Sequence, residues 1–175
     1  FVGRVVKDKG VKELLDAFEL LTKTIKSIKL FIVGPNDGDS KFYDIKKARI
    51  ERINGIEYLD QLDDVRKILV ASNCLVLPSY REGFPNVVLE AGSMGKPVIM
   101  TNVNGHLEYL NKSNGLLVEI GSVNDLYMAM QNIFLNRDNY SSNEIRKFVI
   151  ENFDCKKVQK SLLKFYYDAL DGIEK

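Results

Sequence analysis

The sequence predicts an α/β fold, a doubly wound parallel sheet flanked by helices and followed by further C-terminal helices. Short β-branched and apolar segments alternate along the 175 residues with longer stretches that have helical spacing. This alternation is typical of βαβ units, whose strands pair in parallel. Apolar runs such as LFIV and CLVL lack the polar alternation of a one-sided sheet, which favours strands covered by helices on both faces.

The strands are predicted where β-branched and apolar residues cluster between residues that break regular structure. The turn at 7–10 ends the first cluster, Gly34 and Pro35 end the second, and Pro78 ends the most apolar one. In chain order the predicted strands are 1–6, 28–33, 55–59, 73–78, 97–101 and 115–119.

The helices are predicted from apolar residues three or four positions apart, most clearly in the stretch 11–25. Asp63 and Asp64 can cap the helix that follows them. Pro85 suits the first turn of the next helix, because its missing N–H would be unpaired there anyway. In chain order the predicted helices are about 11–25, 41–53, 65–71, 86–94, 122–135, 141–151 and 155–171.

The composition excludes several classes of protein. Lys and Arg total 25 and Asp and Glu total 24, so a net charge of +1 provides no basic field to hold nucleic acid. No apolar run reaches the roughly 18 residues of a transmembrane helix, and the first ten residues do not resemble a signal peptide. Cys74 and Cys155 form no CxxC motif or disulfide framework. We therefore expect a cytoplasmic protein, with Cys74 as a small buried apolar residue.

The segment 79–90 is the most informative for function. Ligands of doubly wound sheets bind beyond the carboxyl ends of the strands, where this segment leaves a strand and enters a helix. The free amides of 86–88 at the helix N-terminus would form an anion site suited to phosphate. Glu90 can accept two hydrogen bonds from adjacent hydroxyls, as on a ribose, and Glu82 can face a second polyol. From these residues alone, an alternative is equally well supported, in which Glu82 is solvated and Glu90 is paired on the helix surface.

The segment 3–10 also faces this edge of the sheet, because it follows the first strand and precedes a helix. Gly3 permits close approach of a ligand or of another backbone segment. Arg4 and Lys9 place two cations near the anion site, where they could neutralise a diphosphate. A solvated charged turn is the alternative for this segment taken alone.

Together these segments resemble the donor-binding half of the family-4 glycosyltransferases. The resemblance rests on GRVVKDKG at 3–10, IVG at 32–34, REGFPNVVLEAGSMGKPVI at 81–99 and NGHLEYLNKSNGLLVE at 104–119, and it extends to about residue 135. It implies the GT-B architecture of two facing Rossmann-like domains. It also implies that residues 1–175 form one nucleotide-sugar-binding domain, with a Rossmann-like core over 1–135 and C-terminal helices over 140–175.

The resemblance implies a role for each matching residue. Arg4 and Lys9 hold the donor diphosphate, Glu82 holds hydroxyls of the donor sugar, and Glu90 holds the ribose. The catalytic set is Arg4, Lys9 and Glu82. The remaining donor-binding set is Gly3, Gly83, Phe84, Pro85, Asn86, Val87, Val88 and Glu90, largely through backbone amides.

The implied reaction is hexosyl transfer from a UDP- or GDP-linked sugar to an acceptor, with retention of configuration and without metal or cofactor. Asp37 and Asp39 are typical of a turn and are not expected to bind metal. The implied pathway is bacterial polysaccharide or glycolipid synthesis. The alternatives are a non-catalytic nucleotide-sugar-binding subunit and another GT-B enzyme, such as a sugar-nucleotide epimerase or a phosphorylase. His106, the only histidine, is expected to be a loop or cap residue.

We also expect the sequence to be part of a longer protein, because it begins within a predicted strand. The resemblance implies an absent N-terminal domain that binds an acceptor sugar or lipid-linked sugar, and peripheral association of the whole enzyme with the inner face of the membrane. The last helices can either expose an apolar patch towards the absent half or pack on this domain. The residues concerned are Phe148, Val149, Phe153, Leu163, Phe165 and Tyr166.

Overall fold

The structure, a computed structural model, describes residues 1–35 and 48–173. The strands are β1 (Leu30–Val33), β2 (Ile56–Leu59), β3 (Leu75–Leu77), β4 (Val98–Thr101) and β5 (Gly115–Val118). The helices are α1 (Val11–Thr24), α2 (described over 48–52), α3 (Arg66–Ala71), α4 (Asn86–Ser93), α5 (Val123–Leu135), α6 (Ser142–Phe153) and α7 (Cys155–Ile173). Turns of 3-10 helix lie at Lys7–Lys9 and Arg137–Asn139.

Every described strand pair is parallel, as predicted. β1 pairs with β2, and β3, β4 and β5 form a second hydrogen-bonded group with β4 in the centre. β4 contacts both α4 and α5, while α1 packs on α5, and α3 and α6 pack on α4. The strands are therefore covered on both faces, which explains their uninterrupted apolar sequences. The buried side chains of all these elements form one continuous core.

The first predicted strand is shorter than expected. The backbone of residues 1–5 hydrogen-bonds alongside residues 31–35, but only Val2 forms a ladder bridge, to Val33. The N–H of Val6 donates to the carbonyl of Arg4, which turns the chain into the Lys7–Lys9 turn instead of extending the strand.

Two helix predictions also need correction or fall outside the described chain. Neither Asp63 nor Asp64 occupies the N-cap of α3, which is Val65 and has no side-chain cap. Asp64 lies one residue before this N-cap. Its side chain accepts the N–H of Arg66 at 2.9 Å, but from outside the capping position. The predicted helix 41–53 lies mostly outside the described residues, and its last part is helical over 48–52.

The sequence left two alternatives open for the C-terminal helices, packing on this domain or an exposed apolar patch, and each alternative holds for one helix. Phe148 and Phe153 pack with Tyr109 in an aromatic cluster, and Val149 is buried. In α7, by contrast, the apolar side chains are exposed, including Leu163, Phe165 and Tyr166. α6 therefore belongs to the core of this domain, and α7 presents an uncovered apolar face. Within the described residues, no helix has the length and apolar character needed to cross a membrane.

Candidate functional site

A cleft of about 450 Å³ lies at the carboxyl ends of the strands, and we call it the carboxyl-end cleft. It brings together the two segments that the sequence analysis singled out, although about 75 residues separate them in the chain. From the first segment it is lined by Gly3, Arg4 and Lys9. From the second segment it is lined by Glu82, Pro85, Asn86, Val87 and Glu90. This is the edge of the sheet at which doubly wound folds bind ligands.

An ion pair joins the two segments across the cleft. Lys9 Nζ donates to Glu82 Oε1 at 2.5 Å, and both side chains are largely buried, with 19% and 12% exposure. Two further contacts support it, since the N–H of Tyr80 donates to the carbonyl of Asp8 at 2.8 Å and Arg81 pairs with Asp8 at 2.6 Å. The sequence analysis predicted that Lys9 and Glu82 share a site, but not that they bind each other.

Backbone segments also pack directly against one another around the cleft. A Cβ atom on Gly105 would lie 1.9 Å from the carbonyl oxygen of Gly83, so the loop after β4 rests on the loop before α4. A Cβ on Gly10 would similarly lie 2.0 Å from the carbonyl oxygen of Pro78. Both glycines have positive φ, +86° and +66°, and no other residue type fits without strain. The position of both segments is thus set by main-chain contact.

The N-terminus of α4 lies in the cleft, directly after Pro85. Asn86 and Val87 carry the first amides of this helix, and among the described residues no backbone acceptor takes them. The expectation that Val88 also offers a free amide is wrong, because its N–H donates to the carbonyl of Pro85 at 3.0 Å, closing the first turn. Glu90 lies on the next turn with an exposed side chain. Two amides without a backbone acceptor and one carboxylate therefore lie at this end of the cleft.

The remaining predicted residues lie around this point. Gly83 is exposed, and a Cβ added to it would meet no atom within 4 Å, so its backbone is accessible. The ring of Phe84 packs 5.4 Å from that of Phe153, in the aromatic cluster under α4 and not in the cleft. The side chain of Val88 is fully buried. Neither residue lines the cleft, and because the Val88 N–H is already taken, only the backbone of Phe84 is left to contact a ligand.

A buried polar network that the sequence motifs did not predict lies behind Glu82. The Ser79 hydroxyl donates to Glu82 Oε1 at 2.7 Å, and the Thr101 hydroxyl donates to the carbonyl of Ser79 at 2.5 Å. His106 Nδ1 lies 2.7 Å from the carbonyl of Thr101. The available signal was a small hydroxyl residue at the carboxyl end of each of two neighbouring apolar strands, Ser79 after β3 and Thr101 at the end of β4, because a buried hydroxyl needs a partner.

The arrangement can hold an anion and several hydroxyl groups at once. Arg4, Lys9 and the amides of α4 supply positive charge and N–H donors, which suit a diphosphate. Glu82 and Glu90 supply acceptors, which suit vicinal hydroxyls. Among residues 1–35 and 48–170, no cluster of three His, Cys, Asp or Glu side chains could hold a metal ion. Asp37 and Asp39 lie outside the described residues.

Solved structures share this fold. The UDP complex of HepE from Anabaena superposes with a TM-score of 0.84 at 19% identity, over 95% of this chain and 47% of that one. A glycosyltransferase from Rickettsia africae superposes with a TM-score of 0.86 at 24% identity, over 97% of this chain and 46% of that one. The predicted α/β architecture of a GT-B half is thereby confirmed.

Sequence relatives agree with the structures. The chain is 38% identical over 130 residues to the putative teichuronic acid biosynthesis glycosyltransferase TuaC of Bacillus subtilis, covering 74% of this chain and 31% of TuaC. It is 31% identical over 122 residues to the capsular polysaccharide biosynthesis glycosyltransferase CapM of Staphylococcus aureus, covering 69% of this chain and 32% of CapM. The chain therefore spans about a third of the length of these two relatives.

The sequence model of one family matches most of the chain. That family is described as glycosyl transferases group 1, and the match covers residues 1–136. It includes both segments that line the carboxyl-end cleft and the loop that carries His106. The resemblance inferred from the motifs is confirmed, and this chain belongs to the glycosyl transferases group 1 family.

Proposed function

We propose that this chain is the half of a glycosyltransferase that binds a nucleotide diphosphate sugar. The observation that carries the proposal is the convergence of two cations, the carboxylates of Glu82 and Glu90 and a helix N-terminus in one cleft of about 450 Å³. Each part of such a donor has a matching group there. The diphosphate needs cations and N–H donors, and the ribose and the sugar need hydroxyl acceptors.

In this proposal Arg4 and Lys9 hold the diphosphate together with the amides of Asn86 and Val87. Glu90, one turn into α4, accepts hydrogen bonds from the ribose hydroxyls. Glu82 accepts hydrogen bonds from the sugar. Gly3 and Gly83 contribute close backbone approach, since neither carries a side chain that would occupy the cleft.

The Lys9–Glu82 ion pair shapes how the donor enters. Without ligand, each charge neutralises the other at 2.5 Å in a largely buried position. A diphosphate offers Lys9 a second anionic partner, while the sugar hydroxyls offer donors to Glu82. When the donor binds, the diphosphate can replace Glu82 as the partner of Lys9, and the sugar hydroxyls can replace Lys9 as the partner of Glu82. Neither buried charge is then left unpaired. Leaving one charge unpaired would be costly.

We propose that the whole protein transfers the sugar with retention of configuration and without a metal ion. An acceptor hydroxyl attacks the anomeric carbon from the face on which the diphosphate leaves. The new C–O bond forms as the bond to the diphosphate breaks, and the proton of the hydroxyl passes to the departing phosphate. Negative charge grows on that phosphate, where Arg4, Lys9 and the α4 amides are already in place to stabilise it.

Names of relatives suggest the rest of the reaction. HepE is described in complex with UDP-glucose. A relative from Campylobacter jejuni, 30% identical over 128 residues, is named for transfer of N-acetylgalactosamine to a diphospho-undecaprenol-linked sugar. We propose a hexosyl donor linked to UDP or GDP and a lipid-linked sugar acceptor, used in surface polysaccharide synthesis at the cytoplasmic face of a membrane. The acceptor would be bound by a part of the protein outside these 175 residues.

Calorimetric titration with UDP and GDP, up to millimolar concentration, tests the donor site. We expect saturable binding of one nucleotide by the chain and loss of that binding in Glu90→Ala. Glu144→Ala, which removes an exposed glutamate from the first turn of α6, is the matched control and should bind as the parent does. Equal affinity of all three proteins for the nucleotide would refute the assignment of Glu90.

A second assay, on the whole protein, separates transfer from the alternatives. Release of UDP or GDP from a nucleotide sugar, dependent on an acceptor, indicates a transferase. An altered nucleotide sugar without nucleotide release indicates an epimerase. Nucleotide binding without either product indicates a binding subunit.

A further inference from the structure

His106 is a fully buried polar residue whose ring is only half satisfied. Its Nδ1 lies 2.7 Å from the carbonyl of Thr101, while within the described structure Nε2 has no hydrogen-bond partner. A buried polar atom without a partner is uncommon and costs stability, so its presence needs an explanation. An apolar residue of similar volume would avoid this cost.

The geometry defines where the proton of the ring is. A carbonyl oxygen can only accept a hydrogen bond, so Nδ1 must carry hydrogen. Burial lowers the pKa of His106, the hydrogen bond to Thr101 and the charge of Glu82 oppose that shift, and Lys9 adds to it. The ring is therefore neutral at pH 7, with hydrogen on Nδ1 and a free electron pair on Nε2.

A continuous path of hydrogen bonds leads from this ring to the cleft. Thr101 accepts from His106 through its carbonyl and donates through its hydroxyl to the carbonyl of Ser79. Ser79 then donates through its own hydroxyl to Glu82 Oε1. Ser79 and Thr101 are 0% and 1% exposed, so water does not compete with these bonds.

The path ends on one oxygen of Glu82. Lys9 Nζ and the Ser79 hydroxyl both donate to Oε1, and in the described structure no hydrogen bond to Oε2 is formed. Two donors on one oxygen fix the plane of the carboxylate and direct Oε2 away from them. Glu82 is thereby oriented before any ligand arrives.

We propose that His106 is a positioning residue that orients Glu82 through Thr101 and Ser79. Its Nδ1–H anchors the end of β4, and this anchor holds the loop that carries Gly105 against the carbonyl of Gly83. The chemical role of Glu82 towards a sugar rests on the proposed function, but the orientation of its carboxylate does not.

The first test needs no ligand, because the chain contains a single histidine and its NMR signals are unambiguous. We expect the ring nitrogen shifts to report hydrogen on Nδ1 at neutral pH. Glu82→Gln should lower the pKa of His106 by removing a nearby negative charge, and Lys9→Met should raise it by removing a positive one. Glu90→Gln, which changes a carboxylate in the same cleft but outside the path, should leave that pKa unchanged.

Hydrogen on Nε2 of His106 would overturn the proposal. So would equal changes in the pKa of His106 in Glu82→Gln and Glu90→Gln. This measurement stands even if neither UDP nor GDP binds the parent chain. In that case the proposed function fails while the link between His106 and Glu82 is still decided.

The second test compares His106→Leu, which keeps the volume but removes the N–H, with His106→Asn, which keeps an N–H donor near Nδ1. We measure the affinity for UDP and UDP-glucose, and for GDP and GDP-mannose. His106→Leu should weaken binding of the nucleotide sugar roughly tenfold, as expected for one hydrogen bond, and leave the nucleotide unchanged. His106→Asn should restore most of the loss.

A purely structural role predicts a different pattern. His106→Leu would then weaken nucleotide and nucleotide sugar alike, and His106→Asn would give no selective rescue. Either result overturns the positioning role. Should His106→Leu fail to fold, Thr101→Val, which removes the hydroxyl that donates to Ser79, takes its place in this comparison. Selective loss of nucleotide-sugar affinity then supports the positioning role, and equal loss of both affinities overturns it.

Discussion

Two hollows of similar size lie at opposite ends of the parallel strands, and they differ in chemistry. The carboxyl-end cleft measures about 450 Å³ and is lined by two cations and by the three carboxylates of Asp63, Glu82 and Glu90. The hollow at the amino ends, which we call the amino-end hollow, measures about 380 Å³ and is lined mainly by apolar side chains such as Phe18, Phe31 and Val76. Volume alone does not distinguish them. The placement of charges makes the first the candidate site and the second a boundary of the core.

The amino-end hollow also contains Cys74, which illustrates the contrast. Cys74 is partly buried and not fully buried as predicted. Desolvation of the thiol still raises its pKa to about 11, so the thiol stays protonated and behaves as a small apolar group. At the carboxyl end, by contrast, buried polar groups bind one another in a continuous path. The same parallel strands therefore end in an apolar region on one side and in an arrangement of charges on the other.

Phe18→Ala should have the largest effect on stability. An effect on nucleotide binding as well would contradict the separation of roles between the amino-end hollow and the carboxyl-end cleft. Phe18 is 1% exposed and lines the amino-end hollow. We expect a loss of about 3–5 kcal/mol in the free energy of unfolding, since the substitution removes a buried aromatic ring. Nucleotide affinity of the folded variant should be unchanged. Denaturant unfolding and calorimetry measure the two quantities, and Glu90→Ala should show the opposite pattern.

Arg4→Ala should give the largest effect on activity. In the whole protein we expect turnover to fall about 100-fold or more, because the loss of one group that stabilises the leaving phosphate costs about 2.7–4 kcal/mol. Lys29→Ala, which removes an exposed cation beside the amino-end hollow, is the matched control and should leave turnover unchanged. Near-normal turnover of Arg4→Ala would show that the carboxyl-end cleft is not where charge develops.

Two glycine substitutions should have the smallest effects on the free energy of unfolding. They compare the two sides of one backbone contact in the carboxyl-end cleft. Gly105→Ala should lower the free energy of unfolding by about 1–3 kcal/mol, because φ is +86° and the new Cβ meets the carbonyl of Gly83. Gly83→Ala, on the other side of the same contact, adds a Cβ in open space and should change stability by less than about 0.5 kcal/mol. Equal destabilisation by both, measured by denaturant unfolding, would contradict the close packing of these loops.

The parts of the fold that depend on local patterns could be predicted from the sequence. α1 and α4 begin and end within a residue or so of the expected positions, because apolar spacing and Pro85 act locally. The first strand was predicted too long because its end is set by a backbone turn at Arg4 and Val6. Such a turn leaves no mark in the hydrophobic pattern.

The candidate site was predictable as a set of residues but not as a geometry. Position after a strand was enough to suggest Arg4, Lys9, Glu82 and Glu90. The direct pairing of Lys9 with Glu82 depends on how two distant segments pack, and local sequence does not encode that distance. His106 was predicted to be a loop or cap residue, and nothing near it in the sequence shows that it is buried behind Glu82.

The Lys9–Glu82 contact also has a consequence for how the chain folds. The two residues are 73 positions apart, and the chain must close that loop before the contact can form. The entropy of loop closure then has to be offset by burial of the segments in between, so contacts of this range form slowly. A nascent chain that ends before residue 82 contains Lys9 without Glu82. The charged cleft is therefore complete only when the chain has folded. A ligand that requires both charges binds only fully folded molecules.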